Sequence, residues 1–292
     1  ESRDAVGPLN SAWKPEVGWL SAEQTNAIEQ LTQSHDRLQL ILGGAGTGKT
    51  TLMTQAVAAI EQGGHKVFTF APTAEASRKV LRDEGFSTAT TVAELLVSEK
   101  LQKAVQNSVI WIDEASLLGT RDLRKVVDLV ERTGARLILS GDWKRQHGSV
   151  QRGGVLGLLD RYAGVTPIQI ETIRRQQGEY KEAIASMASG HLQRGFDQLD
   201  RLGWVHELDD DVRDSKIARD YADTVVAGKS ALVVSPTHRE AEHLREAIRT
   251  TLRERGKITG DDHKVQTLQP LHLTEGERHD PAFLKEGDII IF

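Results

Sequence analysis

Residues 40–53 read LILGGAGTGKTTLM. Three apolar residues run into a glycine-rich turn, followed by a lysine, two threonines and the start of an amphipathic stretch. Gly43-Gly44-Ala45-Gly46-Thr47-Gly48-Lys49-Thr50 fits G-x-x-x-x-G-K-[ST] between an expected strand and an expected helix, the context in which this spacing cradles phosphates. Glycines let the backbone bend until successive N–H groups face one anion, and the helix N-terminus adds its positive end. Lys49 brings a point charge to the β- and γ-phosphates, Thr50 offers a hydroxyl to Mg²⁺, and Thr51 completes the loop. The plain alternative is a glycine-rich turn. A chance match in a chain of this length is on the order of one percent before the flanking elements are required. ATP and Mg²⁺ are therefore the expected cofactors.

Working outward, apolar runs recur at Leu38–Leu42, Lys66–Ala71, Ser108–Ile112, Arg136–Ser140, Ile168–Ile170 and Ala231–Ser235. Helix-like stretches lie between them at Thr50–Glu61, Thr73–Glu84, Thr120–Arg132 and Arg239–Glu254. Strands alternating with helices imply an α/β fold with a parallel sheet covered on both faces, and continuous apolar strands fit burial on both sides. A boundary is expected around Tyr162–Thr172. A helical section, Tyr180–Leu199, follows it, and the strand-to-helix pattern resets at ALVVSPTHRE.

A nucleotide loop of this kind needs a second strand that ends in an acid. VIWIDEAS, Val109 to Ser116, supplies it. Asp113 at the strand's carboxyl end suits a metal, and Glu114 beside it suits polarisation of an attacking water. An Asp-Glu pair that merely caps the next helix is the competing reading. The loop in the same sheet favours catalysis, and the second carboxylate points to hydrolysis rather than binding alone.

Bulk composition constrains the partners less. With 42 acidic and 37 basic residues the net charge is −5, which neither announces nor excludes nucleic acid, because binding depends on a local basic stripe. There is no cysteine, so disulfides, zinc–thiolate sites and thiol nucleophiles are excluded. The histidines show no ligand spacing, and no structural metal is expected. No apolar run approaches the roughly 20 residues that span a bilayer, and the N-terminus has no leader pattern. The expected setting is cytoplasmic, without a membrane span.

Six stretches together resemble a known family. LSAEQTNAI (20–28), GGAGTGKTT (43–51), FAPTAEAS (70–77), VIWIDEAS (109–116), LILSGDWKRQ (137–146) and ETIRRQ (171–176) occur in the order found in superfamily 1 DNA helicases. The chain looks like the RecD-like group and is most similar there to the helicase portion of conjugative relaxases of the TraI/TrwC type. The resemblance implies a RecA-like P-loop NTPase lobe over residues 1–170, with the adenine-reading helix at its start. The beginning of a second RecA-like lobe would occupy residues 171–292.

The resemblance also implies roles for individual residues. Gln24 matches a glutamine that reads adenine; the alternative is an exposed helix residue. Gln146 matches a sensor of the γ-phosphate. Arg175 matches an arginine reaching across from the second lobe, with Arg174 as the adjacent alternative. Thr73 matches a residue that touches the phosphate of single-stranded DNA, and it also suits an N-cap. Thr91 in TTVAELL belongs to another DNA-contacting segment, although Ala93 stands near where many relatives carry a histidine. Thr237 and His238, in SPTHRE, are candidates for a DNA-facing loop, against a structural or solvated histidine. Trp143 suits packing between lobes or, alternatively, stacking on a base, worth about 1–3 kcal/mol. Trp13 and Trp19 are assigned to packing.

Two family motifs expected later, a DNA-contacting segment and a second arginine finger, do not occur before Phe292, and KEGDIIIF resembles the first strand of an inserted β-barrel. The natural chain is therefore expected to continue, and this portion to bind ATP–Mg²⁺, hydrolyse it weakly and unwind poorly. The implied activity is 5′ to 3′ translocation on single-stranded DNA, by a monomer working with conjugative transfer machinery. The alternatives are a helicase-shaped domain that binds DNA or docks for secretion without motor function, and a P-loop ATPase acting on protein or RNA.

Overall fold

Branched and apolar residues run without interruption through LQLILG, VFTFA, VIWI and RLILSG, and each forms a strand. The computed structural model describes residues 6–15, 18, 20–44, 47–143, 154–170, 172, 178–261, 263, 268, 271, 273 and 280–289. The strands are β1 (Leu38–Gly43), β2 (Val67–Ala71), β3 (Thr90–Thr91), β4 (Val109–Ile112), β5 (Arg136–Gly141) and β6 (Ile168–Ile170). They form one sheet in the order β3-β2-β4-β5-β1-β6, with every pairing parallel. All the strands therefore end at one edge, where an open α/β sheet places its ligands.

Alternation along the strands divides the core. Ile41, Trp111, Ile138, Ile168 and Ile170 pack on one face with α1 (Ala22–Gln33) and α2 (Lys49–Gln62). Leu40, Phe70, Ile110, Ile112, Leu137 and Leu139 pack on the other, with α3 (Val92–Val97), α5 (Thr120–Thr133) and α6 (Val155–Tyr162). The short α4 (Glu99–Ala104) follows α3. Each large side chain buried this way contributes about 2 kcal/mol, which explains why both faces are closed.

The expected helix Thr73–Glu84 is not α-helical throughout. Glu75–Leu81 forms a π-helix, and the two residues after it return to α-helix. The two-residue β3 had no counterpart among the expected strands. α7 (Gly178–Ala188) and α8 (Leu192–Arg201) divide the expected helical section and pack against each other, with Tyr180 and Trp204 stacked at 4.9 Å between ring centroids.

The chain forms two compact units, Glu1–His206 and Glu207–Phe292. In the second unit α9 (Asp210–Val226) packs against α10 (His238–Glu254), and Arg255 Nη1 pairs with Asp223 Oδ1 at 2.6 Å. The strand expected at Ala231–Ser235 is not formed. Leu232 and Val234 are exposed, and no strand occurs among the described residues of this unit to pair with them. An apolar run becomes a strand only when a neighbour takes up its N–H and C=O groups. Lys285–Ile289 likewise carry no strand, and the rest of KEGDIIIF lies outside the described residues.

Candidate nucleotide site

Five sequence-predicted segments converge on the carboxyl edge of the sheet because the chain leaves every strand there. β1 delivers the glycine loop, β2 delivers Thr73, β3 ends in Thr91, β4 delivers Asp113 and Glu114, and β5 ends in Gly141 before Asp142. Ala45, Gly46, Gln146, Arg174, Arg175 and Trp19 lie outside the described residues.

The loop's geometry follows from its glycines. Gly48 is the N-cap of α2 in the left-handed region (φ 84°, ψ 30°), a conformation that side chains disfavour, and no side chain caps the helix. The first-turn N–H groups of α2 therefore face outward at the helix's positive end. A methyl group built on Gly43 would lie 2.8 Å from Lys49 Cγ and 3.1 Å from Thr47 Oγ1, so the space over Gly43 is reserved for the lysine stem. Lys49 Nζ donates to the Gly43 carbonyl at 2.7 Å, and the buried Thr47 hydroxyl donates to the Gly44 carbonyl at 2.9 Å. Thr50 and Thr51 open α2, and the Thr50 hydroxyl donates to Glu84 Oε1 at 2.9 Å. The uncapped N-terminus of α2, a primary ammonium and a helix-start hydroxyl fit a polyphosphate with its cation.

Gln24 is buried, not exposed. Its Oε1 accepts from the Ser21 backbone N–H at 3.2 Å and completes a capping box with the Ser21 hydroxyl, while its Nε2 reaches the Gly48 carbonyl at 3.4 Å. Gln24 thus ties α1 to the loop.

Asp113 is held by a chain of hydrogen bonds that sequence reasoning missed. The register Trp111↔Ile138 and Ile112↔Leu139 sets Ser140 beside Asp113 one step further on. Trp111 Nε1 donates to Ser140 Oγ at 2.9 Å, and Ser140 Oγ donates to Asp113 Oδ1 at 2.7 Å. Trp111 and Ser140 are both buried. An indole N–H can only donate and a carboxylate can only accept, so the direction of the chain is fixed. The available signal was a tryptophan two residues before the acid, on the same side of its strand. Glu114 follows with φ 50° and ψ 32°. A glutamate in this region costs about 1–3 kcal/mol, a strain typical of functional positions.

The three threonines among the candidate DNA contacts each accept a hydrogen bond from a backbone N–H in the first turn of a helix. Thr73 Oγ1 accepts from the Ala76 N–H at 3.1 Å, Thr91 Oγ1 from the Glu94 N–H at 3.1 Å, and Thr237 Oγ1 from the Glu240 N–H at 3.2 Å. Beside Thr91, the Thr90 hydroxyl donates to Glu94, and Arg78 Nη2 pairs with the same carboxylate at 2.9 Å. First the Thr90 hydrogen bond and then Arg78 hold the Glu94 carboxyl below its ordinary range. His238, exposed, is the first residue of α10. Thr237 and His238 belong to the second unit. Trp143 packs on α6 in its own unit, with Nε1 donating to Asp160 Oδ2 at 3.1 Å. Trp13 packs against the α1/α2 face of the core.

The AAA domain family matches residues 19–210, the whole sheet and its loops. The chain belongs to the AAA domain family. Its relatives include the conjugal transfer protein TraA of Agrobacterium fabrum, 29% identical over 94% of this chain and 24% of that protein. The multifunctional conjugation protein TraI of Escherichia coli K12 is 26% identical over 69% of this chain and 12% of its own length. The ATP-dependent RecD2 DNA helicase of Deinococcus radiodurans is 36% identical over 64% of this chain and 26% of its own. These are the conjugative and RecD-like groups that the six stretches resemble. The chain spans between 12% and 26% of the length of these relatives. No helix among the described residues is long and apolar enough to cross a membrane.

Proposed function

We propose that this chain is the ATP-binding part of a motor that hydrolyses ATP to move 5′ to 3′ along single-stranded DNA during conjugative transfer. The observation that carries the reading is the meeting, on one sheet edge, of the Gly43–Thr51 loop with a carboxylate pair whose first member is held by Ser140. Relatives named as conjugation proteins and as a DNA helicase support the choice of DNA over protein or RNA.

In this reading Lys49 leaves the Gly43 carbonyl for the β- and γ-phosphates. The Thr50 hydroxyl and Asp113 hold Mg²⁺, which supplies charge neutralisation when bound. Glu114 takes the proton of the attacking water as ADP departs. Gln24 sits against the loop, and reading adenine requires its amide to exchange Ser21 for the base edge. Gln146 senses the γ-phosphate, and Arg175 or Arg174 stabilises the spreading charge. Thr73, Thr91, Thr237 and His238 follow the DNA backbone, with the first lobe spanning 1–170 and the second starting at 171. The chain alone turns ATP over weakly and works as a monomer in the cytoplasm.

The test is ATP turnover with and without single-stranded DNA, compared with Lys49→Ala. Stimulation by DNA that Lys49→Ala abolishes is the expected result. DNA binding that persists with no turnover in the wild-type chain would overturn the motor reading in favour of a docking domain.

A further inference from the structure

Thr50 and Glu84 are 34 residues apart in sequence, yet the threonine hydroxyl donates to the Glu84 carboxylate at 2.9 Å. Glu84 follows the π-helix Glu75–Leu81 and precedes Gly85, which turns the chain with φ 101°. A run of i→i+5 turns rotates the residues after it relative to an α-helix with the same start. The wider turns therefore set where Glu84 emerges against α2.

A hydroxyl carries one proton and two acceptor lone pairs. When it ligates a cation it does so through a lone pair, and the proton must point elsewhere. In this chain Glu84 already accepts that proton, which leaves the lone pairs of Thr50 for the cation. Its negative charge also makes the hydroxyl oxygen more basic, as outer carboxylates do for metal ligands generally. Ser140 plays the matching part behind Asp113. We propose that Glu84 is a positioning residue for the divalent cation of the nucleotide site, acting through the Thr50 hydroxyl. The inference rests on the reading that residues 43–51 bind a magnesium nucleotide.

A bond that only anchored the end of the π-helix would affect folding and leave the cation untouched. The deciding quantity is therefore the ratio of ADP affinity in magnesium to ADP affinity in EDTA, read with a fluorescent ADP on the 292-residue chain. Glu84→Ala is expected to raise the magnesium concentration at half-effect about tenfold, within the range seen for lost outer-shell partners. Glu84→Gln keeps an oxygen that can accept the hydroxyl proton and should recover most of that loss. Thr50→Ala should weaken the magnesium effect, and adding Glu84→Ala to it should change nothing more, because the glutamate acts through the hydroxyl. Thermal melts by circular dichroism separate folding from binding. A Glu84→Ala chain with the wild-type magnesium midpoint would overturn the proposal, as would a further full loss in the double variant. A wild-type chain that binds no ADP in either buffer would overturn the nucleotide reading beneath it, an outcome distinct from both.

Discussion

Ser140 shows how much of a site can depend on one hydroxyl. It accepts from Trp111 and donates to Asp113, so Ser140→Ala breaks both bonds at once. The indole N–H is then buried without a partner, at a cost of about 1–3 kcal/mol, and Asp113 loses the donor that orients it. Magnesium-dependent nucleotide affinity should fall about tenfold. Trp111→Phe removes only the first donor, so it should cost about 1 kcal/mol of stability and leave most of the magnesium effect intact. Equal losses in the two variants would mean that Ser140 acts through packing and not through the carboxylate. Asp113 and Glu114 were legible in the sequence because an acid pair after an apolar run is a local pattern. Ser140 was not, because its partner lies 27 residues away and only the β4–β5 register brings the two together. The burial of Gln24 and its contact with the Gly48 carbonyl were not legible, because both depend on how α1 packs.

At the scale of elements, the edge opposite the site is tied down by Arg136, the first residue of β5. Its guanidinium donates to the carbonyls of Gly7 at 2.6 Å and of Ser34 and Asp36 at 2.9 Å, fastening the N-terminal segment and the end of α1 to the sheet. Burial lowers its pKa to about 10, partly offset by Asp36, so it remains charged at neutral pH. Arg136→Met should destabilise the first unit by about 3 kcal/mol, since it leaves carbonyls short of partners. The melting temperature should then drop by roughly 10 °C; a change within error would mean that water replaces all three bonds. On the site edge, Glu94 joins α3 to Thr90 and to Arg78 of the π-helix. Its folded pKa is depressed, so the stability it adds is present above the unfolded value and is lost as pH falls through the lower folded value. The melting difference between wild type and Glu94→Gln should therefore hold at neutral pH and close in acid, below the ordinary glutamate range; a difference independent of pH would remove the carboxylate from the explanation. Strands β1, β4 and β5 were readable because burial on both faces leaves an unbroken apolar run. The same signal failed at Ala231–Ser235, where the residues carry the pattern of a strand but no described neighbour takes up its backbone. The two threonines of β3 were too short a segment to register as a pattern at all.

Across the whole molecule the two units differ in how much apolar surface they close. The first buries residues from six strands and the helices on both faces, including Trp111, Phe70, Ile110 and Ile138. Among the described residues of the second, the buried apolar side chains are Ala218, Ala222 and Leu244, while Leu232, Val234 and Val226 are exposed. Two alanines and a leucine offset little of the entropy of ordering two 17-residue helices. Ion pairs such as Arg255–Asp223 are exposed and worth at most about 1 kcal/mol each. Stability should therefore be unevenly distributed, with local opening in α9 and α10 far cheaper than global unfolding. Amide hydrogen exchange tests this directly. Amides of β4 and β5 should exchange only through global unfolding, while those of α9 and α10 should exchange at least about a hundredfold faster, a gap of roughly 3 kcal/mol. Equal protection in both units would show that the second has a source of stability beyond these three side chains. Magnesium ADP sharpens the experiment, because a ligand that binds only the folded state slows exchange in the unit that holds it. Slowing in β1, β4 and α2, with α9 and α10 unchanged, would confine the nucleotide site to the first unit. Slowing in α9 and α10 as well would mean that nucleotide binding also stabilises the second unit.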